Sequence, residues 1–307
     1  MMAKSLDKYS GILLCDEPLA RYTTWRVGGS ADRLYKPQGL NDLVCFLQSL
    51  PKDEPVMWLG LGSNLLVRDG GVRGTVIATQ GALNEMSVLE NGCVRAEAGV
   101  TCAKVARFCG RNGLAGAEFL AGIPGTMGGA VAMNAGAFGG ETWSYVEAVE
   151  TVDHCGNLTV RKSGEFNVGY RSVGGVKGEW FVAVHLRLQQ CDDAQQEEIK
   201  QRMKNLLEQR NQKQPIGLPS CGSVFRNPDG EYAADLIEKA GLKGSCEGAA
   251  CVSEKHANFI INTGNATAND IEILINRVSS RVQEKFGIKM IREVHIVGDR
   301  ERVDVKS

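Results

Sequence analysis

The order of apolar patterns along the chain predicts an α+β fold. Strand-like and helix-like segments are mixed without the strict strand–helix alternation of a doubly wound sheet. The clearest strand, Trp180–Leu188, alternates with period two, and the clearest helix, Asn269–Phe286, carries an apolar stripe at helical spacing. A chain of 307 residues, at roughly 100–200 residues per domain, is long enough for two or three domains.

Each element has its own signal. Asn41–Leu50 reads as a short helix with Leu43, Val44, Leu47 and Leu50 on one side and Asn41 as its N-cap. Val56–Leu61 and Thr75–Thr79 read as apolar strands. Cys93–Ala98 reads as a strand leading into a helix over Thr101–Cys109, ended by Gly110 and Gly113. Tyr145–Asp153 and Leu158–Arg161 form a hairpin turned by Cys155-Gly156-Asn157. In the strand that follows, Trp180, Val182, Val184, Leu186 and Leu188 point one way, while His185 and Arg187 point the other. His185 therefore reads as a strand histidine on a partly solvated face. Asp192–Gln212 is a polar helix with a stripe of Ile199, Met203, Leu206 and Leu207. The Pro- and Gly-containing stretch Gln214–Gly222 lies near a domain boundary. Beyond it come a helix around Tyr232–Ala240 closed by Gly241, the long helix stopped by Gly287, and a last strand, Glu293–Val297.

Composition removes several function classes. Lys+Arg 35 against Asp+Glu 36 leaves a net charge of −1, and no Lys/Arg run occurs, which argues against nucleic acid and anionic membranes as partners. Small acidic ligands need only a few local cations and stay open. The 10 cysteines contain no C-x-x-C pair; only Cys246 and Cys251 are closely spaced, and no His follows at finger spacing, so no metal site is expected. The expectation is ten reduced thiols in a cytoplasmic protein. Ala121–Gly140 lacks charge over 20 positions, the length of a membrane span, but seven are glycine, so the segment reads as loops and turns.

Two glycine-rich segments carry the chemistry. Gly60-Leu61-Gly62-Ser63-Asn64 follows a strand directly. Glycines there let backbone N–H groups turn outward towards a ligand, the composition of a phosphate-cradling loop or of a plain strand-ending turn. Leu65 stands where a dinucleotide fingerprint needs glycine, and no Gly-Lys-Ser/Thr occurs. The second segment, Ala121 to Glu141, belongs to a stretch with 10 glycines in the 31 residues Gly110–Gly140. Long glycine-dense loops are costly in chain entropy and usually serve function. Its uncharged character suits a flat apolar ring as well as a phosphate, and the two segments could grip two ends of one dinucleotide cofactor.

Six pieces in register resemble the UDP-N-acetylenolpyruvoylglucosamine reductase family, flavoenzymes of bacterial peptidoglycan precursor synthesis. They are Thr24-Trp25-Arg26-Val27-Gly28-Gly29-Ser30-Ala31-Asp32; Gly60 through Val67; Gly122-Ile123-Pro124-Gly125-Thr126 through Glu141; Tyr170-Arg171-Ser172; Gly222-Ser223-Val224-Phe225-Arg226-Asn227-Pro228; and Leu236 through Gly244. The resemblance implies a two-domain FAD-binding module of the vanillyl-alcohol-oxidase type plus a C-terminal α+β substrate domain, divided as 1–78, 79–208 and 209–307. It implies non-covalent FAD contacted by Gly60, Gly62, Ser63, Asn64, Gly122, Ile123, Pro124, Gly125, Thr126, Gly128, Gly129 and Ala130. NADPH is the implied reductant, and UDP-N-acetylglucosamine enolpyruvate is the implied substrate, reduced to UDP-N-acetylmuramate. The family's proton donor maps onto Ser223, its arginine onto Arg171 and its C-terminal glutamate onto Glu293. Lys213, with Arg210 near it, is the implied diphosphate contact, and Asn227 matches an asparagine that touches substrate. The segment after Arg171 is too short for the tyrosine-bearing insertion of one subclass, so the chain resembles the shorter one. A cytoplasmic monomer or weak oligomer is expected.

The implied chemistry explains these residue types. Hydride addition to an enol ether carboxylate develops negative charge that a guanidinium stabilises through a forked pair of hydrogen bonds. A carboxylic acid kept neutral by burial donates to the same oxygens, and a hydroxyl supplies the C2 proton. Two other readings exist: an alcohol or sugar oxidase of the same superfamily, and a non-catalytic flavin- or UDP-sugar-binding module. Those oxidases often tether FAD through His or Cys, and none of His154, His185, His256 and His295 lies in a glycine segment. The joint presence of Arg171, Ser223 and Glu293 argues against the non-catalytic module.

Overall fold

A computed structural model describes residues 9–300. The chain forms two compact units: unit 1 takes residues up to 14, 34–61 and 74–208, and unit 2 takes 15–33, 62–73 and 209 onwards. Residues 15–33 and 62–73 thus fold with the C-terminal part of the chain.

Six helices occur among the described residues: α1 (Leu40–Ser49), α2 (Cys102–Arg111), α3 (Met127–Ala132), α4 (Asp193–Lys213), α5 (Ala233–Lys239) and α6 (Ala268–Phe286). Unit 1 is built on an antiparallel sheet of five strands, in the order Leu158–Lys162, Val146–Asp153, Glu179–Leu186, Val94–Glu97 and Met86–Val88. The hairpin and the alternating strand read from the sequence are its centre. One sheet face and α2, α3 enclose a core of Val94, Ala96, Val105, Cys109, Met127, Val131, Val149, Val184 and Leu186. A second core joins Tyr35, Phe46, Leu47, Ile77, Val152 and Val182, with Tyr35 and Phe46 stacked at 3.6 Å. Across the sheet, Glu150 accepts from Arg95 Nε (2.6 Å) and Nη2 (2.7 Å), and it lies 2.7 Å from His185 Nε2. Burial disfavours the Glu150 charge, but the hydrogen bonds from Arg95 and His185 outweigh it and hold the carboxyl below its ordinary range. His185 is therefore an ion-network residue of the sheet.

Unit 2 packs α5 and α6 with a small antiparallel sheet of Cys246–Glu247, Ala250–Val252 and Ile260–Asn262. The stripe Ile271, Leu274, Ile275, Val278 and Val282 is buried, and Gly287 ends α6 in the left-handed conformation (φ 72°). Thr267 and Asp270 form a capping box at its start, and Asp69 accepts from the Ala268 and Asn269 amides at 3.0 and 2.9 Å. Trp25, fully buried, donates from Nε1 to Ile260 O at 2.7 Å. Leu65–Val67 pairs in parallel with His295–Val297.

Three expectations change. Asn41 does not cap α1: the helix starts one residue earlier, from Gly39, and Asn41 is exposed. Asp42 gathers the nearby donors instead, accepting from the amides of Ser10, Gly11 and Gln38 and from the Tyr35 hydroxyl. Ala121–Gly140 is not loop throughout, because Met127–Ala132 is helical. Glycine serves close packing there, as a Cβ on Gly128 would stand 2.9 Å from Ala98 Cβ. The ten thiols are not all reduced. The register of the hairpin sets Cys246 opposite Cys251 with Cα atoms 4.1 Å apart, and the two form a disulfide. The other eight cysteines are free.

Candidate functional site

The first glycine loop leaves the strand Val56–Leu59. Gly60 belongs to unit 1, and a side-chain carbon on it would collide with Thr126 Oγ1. The two glycine segments therefore meet within unit 1 at Gly60 and Thr126. Gly62, Ser63 and Asn64 belong to unit 2. Gly62 needs φ 64°, and a Cβ there would press on the Tyr22 carbonyl and approach Thr23 Cα to 2.8 Å. Among the described residues the amides of Leu61, Gly62, Ser63 and Asn64 donate to no protein acceptor. Such a run of open donors is what a phosphate oxygen requires.

The second segment is built differently. Met127 N–H bonds to Val100 O (2.8 Å) and Gly128 N–H to Ala98 O (2.9 Å), so the opening amides of α3 are already satisfied. Thr126 and Ala130 are buried, and Gly122 lies under the Phe138 ring. Gly125 accepts from Cys102 N at 2.9 Å. Pro124 and Gly129 are exposed, and a Cβ on Gly129 would meet nothing closer than 3.8 Å. This segment offers an uncharged surface with open space at Gly129. Each taken by itself, the open amides have the chemistry that suits phosphate oxygens, and the uncharged surface suits a flat apolar ring.

Arg171 sits in unit 1 on a tight turn, itself at φ 52°, between the strands Asn167–Gly169 and Ser172–Gly174. Its guanidinium donates from Nη1 to Asn134 O (3.2 Å) and from Nη2 to Gly136 O (3.0 Å), and it lies 5.0 Å from the Tyr170 ring. The glycine segment thus holds the arginine. Sequence reasoning missed the residue that organises this region. Asn134, buried at φ 43°, donates to Glu141 Oε2 (3.1 Å) and Gly169 O (3.2 Å) and accepts from Trp143 N (3.1 Å). A lone polar residue in an uncharged, glycine-rich run was the available signal.

Ser223, Glu293, Arg210, Lys213 and Asn227 lie in unit 2. Gly222, at φ 77°, turns the chain into Ser223, which is half-buried. Val224 then accepts from the Glu293 amide at 2.8 Å, and Phe225 bridges to Arg292, so Ser223 and Glu293 stand on adjoining extended segments. Asn258 clamps the first segment through its amide, accepting from Phe225 N (3.0 Å) and donating to Phe225 O (2.8 Å). Asn64 Nδ2 donates to Glu293 O at 3.1 Å, joining the first glycine loop to the Glu293 backbone. Full burial, with the Glu293 carboxyl nearby, pushes the Cys221 thiol far above its ordinary range, so this cysteine stays protonated. Arg210 donates to Gln214 Oε1 (3.1 Å), and burial pulls its guanidinium below its ordinary value. No carboxylate is paired with it among the described residues, an environment that favours an anion. Lys213 is exposed at the end of α4. Asn227 is exposed, and its Oδ1 accepts from Ala233 N (3.1 Å), capping α5.

Residues 31–160 match an FAD binding domain model, and residues 214–297 match the C-terminal domain of UDP-N-acetylenolpyruvoylglucosamine reductase. A reductase of that name from Alkalilimnicola ehrlichii is 61% identical over 299 residues, covering 97% of this chain and 99% of the relative. One from Legionella pneumophila strain Corby is 56% identical over 97% of this chain and 96% of its own. The crystal structure of the Thermus caldophilus reductase superposes with a TM-score of 0.79 at 34% identity, covering 94% of this chain and 99% of that one.

Proposed function

Because the chain belongs to the UDP-N-acetylenolpyruvoylglucosamine reductase family and is an FAD-dependent reductase of peptidoglycan precursor synthesis, we propose that Arg171, Ser223 and Glu293 carry its chemistry on the substrate. When bound, FAD would supply the hydride chemistry between NADPH and C3 of the enolpyruvyl group. The amides of residues 61–64 hold phosphate oxygens, and the uncharged surface around Gly129 faces the flat part of the cofactor.

Arg171 stabilises the negative charge that develops on the enolpyruvyl carboxylate. Its hydrogen bonds to Asn134 O and Gly136 O support this role, because they fix the plane of the fork before substrate arrives. Glu293, as the neutral acid, donates to the same oxygens, and the Ser223 hydroxyl delivers the proton to C2. Arg210 and Lys213 hold the UDP diphosphate. Asn227 shapes the substrate wall from the start of α5. The observation that carries the reading is the Glu293 N–H bond to Val224 O at 2.8 Å, which keeps the serine and the glutamate on neighbouring segments. The substrate is a UDP-sugar, the chain is of the shorter subclass, and it works in the cytoplasm as a monomer or weak oligomer.

Arg171→Lys tests the assignment, because it keeps the charge and loses the fork. Its kcat should fall about 10²–10³-fold while the flavin absorbance band is retained. A kcat equal to that of the parent would remove Arg171 from the reacting centre.

A further inference from the structure

Within unit 2 a cavity of about 550 Å³ runs beside α6, a volume within the ordinary range of small-ligand sites. None of the residues assigned above to flavin, substrate or catalysis lines it. Four cations face it, Arg68, Lys289, Arg292 and Arg300, against one carboxylate, Glu272. They come from three separate parts of the chain: the end of the strand Leu65–Val67, the segment after α6, and the segment after the last strand.

The charge balance is unequal. Glu272, in the first part of α6 and largely buried, accepts from Arg68 Nε (2.8 Å) and Nη2 (2.9 Å) in a forked pair, with Arg300 Nη2 at 3.5 Å. That pair neutralises Arg68 and orients it. Asp299, next to Arg300 in the chain, is engaged with Arg73 at 3.5 Å. Lys289 and Arg292 have no carboxylate partner among the described residues. Like charges gathered along one concave wall repel each other and raise the local positive potential, which concentrates small anions. One helical face of α6 adds the Asn276 amide and the Ser279 hydroxyl, one turn and two turns on from Glu272. Ile275 and the buried Met290 give the cavity an apolar floor.

We propose that this cavity binds a small phosphorylated molecule, its phosphoryl oxygens held by Lys289, Arg292 and Arg300 and its less polar part resting on Ile275 and Met290. The planar guanidinium fork and the ammonium point charge together match a phosphoryl group.

Inorganic pyrophosphate is the probe, titrated calorimetrically into the purified flavin-bound protein at low salt. The parent should bind it saturably at this cavity. The Lys289→Gln/Arg300→Gln double variant changes only exposed side chains, and its flavin spectrum should match that of the parent. It should bind pyrophosphate at least tenfold more weakly. In an Arg210→Gln/Lys213→Ala variant, which removes the cations proposed for the UDP diphosphate, binding at the cavity should persist. Absence of saturable binding in the parent, unchanged affinity in Lys289→Gln/Arg300→Gln, or loss of all binding in Arg210→Gln/Lys213→Ala would each overturn the proposal. The last result would leave the diphosphate assignment intact, so the two readings fail separately.

Discussion

Asn134 spends its whole side chain on the turn that carries Arg171. Its Oδ1 accepts from Trp143 N, its Nδ2 donates to Glu141 and Gly169, and its own carbonyl accepts from Arg171. Asn134→Ala would leave the buried Trp143 amide without its acceptor and place alanine at φ 43°, which asparagine tolerates better. The expected loss is about 2–3 kcal/mol of unfolding free energy, measured by denaturant titration. A variant as stable as the parent would contradict the clamp. Lys213 gives a contrasting expectation. Lys213→Ala should raise KM for the UDP-sugar with little change in kcat, because the diphosphate is bound alike in ground and transition states. A lost kcat with unchanged KM would place Lys213 elsewhere. At this scale the sequence alone was least legible. Ser223, Arg171 and Glu293 stand out only through the family resemblance, since an isolated serine after glycine or an arginine after tyrosine has ordinary structural explanations. Asn134 and Asn258 escaped because their work is long-range: Asn258 reaches back 33 residues to Phe225.

Among the elements, α3 shows best why periodicity falls short. Six residues are less than two turns, and the three consecutive small residues Gly128, Gly129 and Ala130 give no apolar stripe. The helix forms because Met127 and Gly128 find carbonyl acceptors at Val100 and Ala98, a tertiary effect that local sequence does not encode. Longer elements with a full stripe, such as α6, were legible to within a residue. The same helix offers a test of the flavin surface. Gly129→Leu adds a good helix former where the protein leaves room, so stability should be kept or raised. If the open space belongs to the cofactor, the variant should purify folded but depleted of FAD. Full FAD retention by a folded variant would contradict that use of the space. The sheet makes a separate prediction through Glu150, whose carboxyl is held below its ordinary value in the folded state. A depressed folded value contributes stability above the unfolded value, lost as pH falls through the folded one. Glu150→Gln should therefore cost roughly 1–3 kcal/mol at neutral pH and progressively less in acid, followed by thermal unfolding across pH. A cost independent of pH would mean that the Arg95 and His185 bonds contribute by shape alone.

For the whole molecule, composition singled out the two glycine-rich segments as candidate ligand loops, and the fold sets them apart further. Open amides lie at 61–64, while the second segment has used its first helical amides internally. The path of the chain was less legible. Nothing in the periodicity of residues 15–33 or 62–73 indicates that they fold with the C-terminal part, because that association rests on distant contacts such as Trp25 Nε1 to Ile260 O and Arg68 to Glu272.

The central claim is that Ser223 acts on the substrate and not on the delivery of hydride by NADPH. Stopped-flow absorbance at the flavin band, applied to Ser223→Ala, tests it most directly. Bleaching by NADPH should proceed at close to the parent rate. Reoxidation by UDP-N-acetylglucosamine enolpyruvate should slow by about 10²–10⁴-fold, the usual contribution of a general acid. Slowed bleaching with reoxidation at the parent rate would contradict the claim.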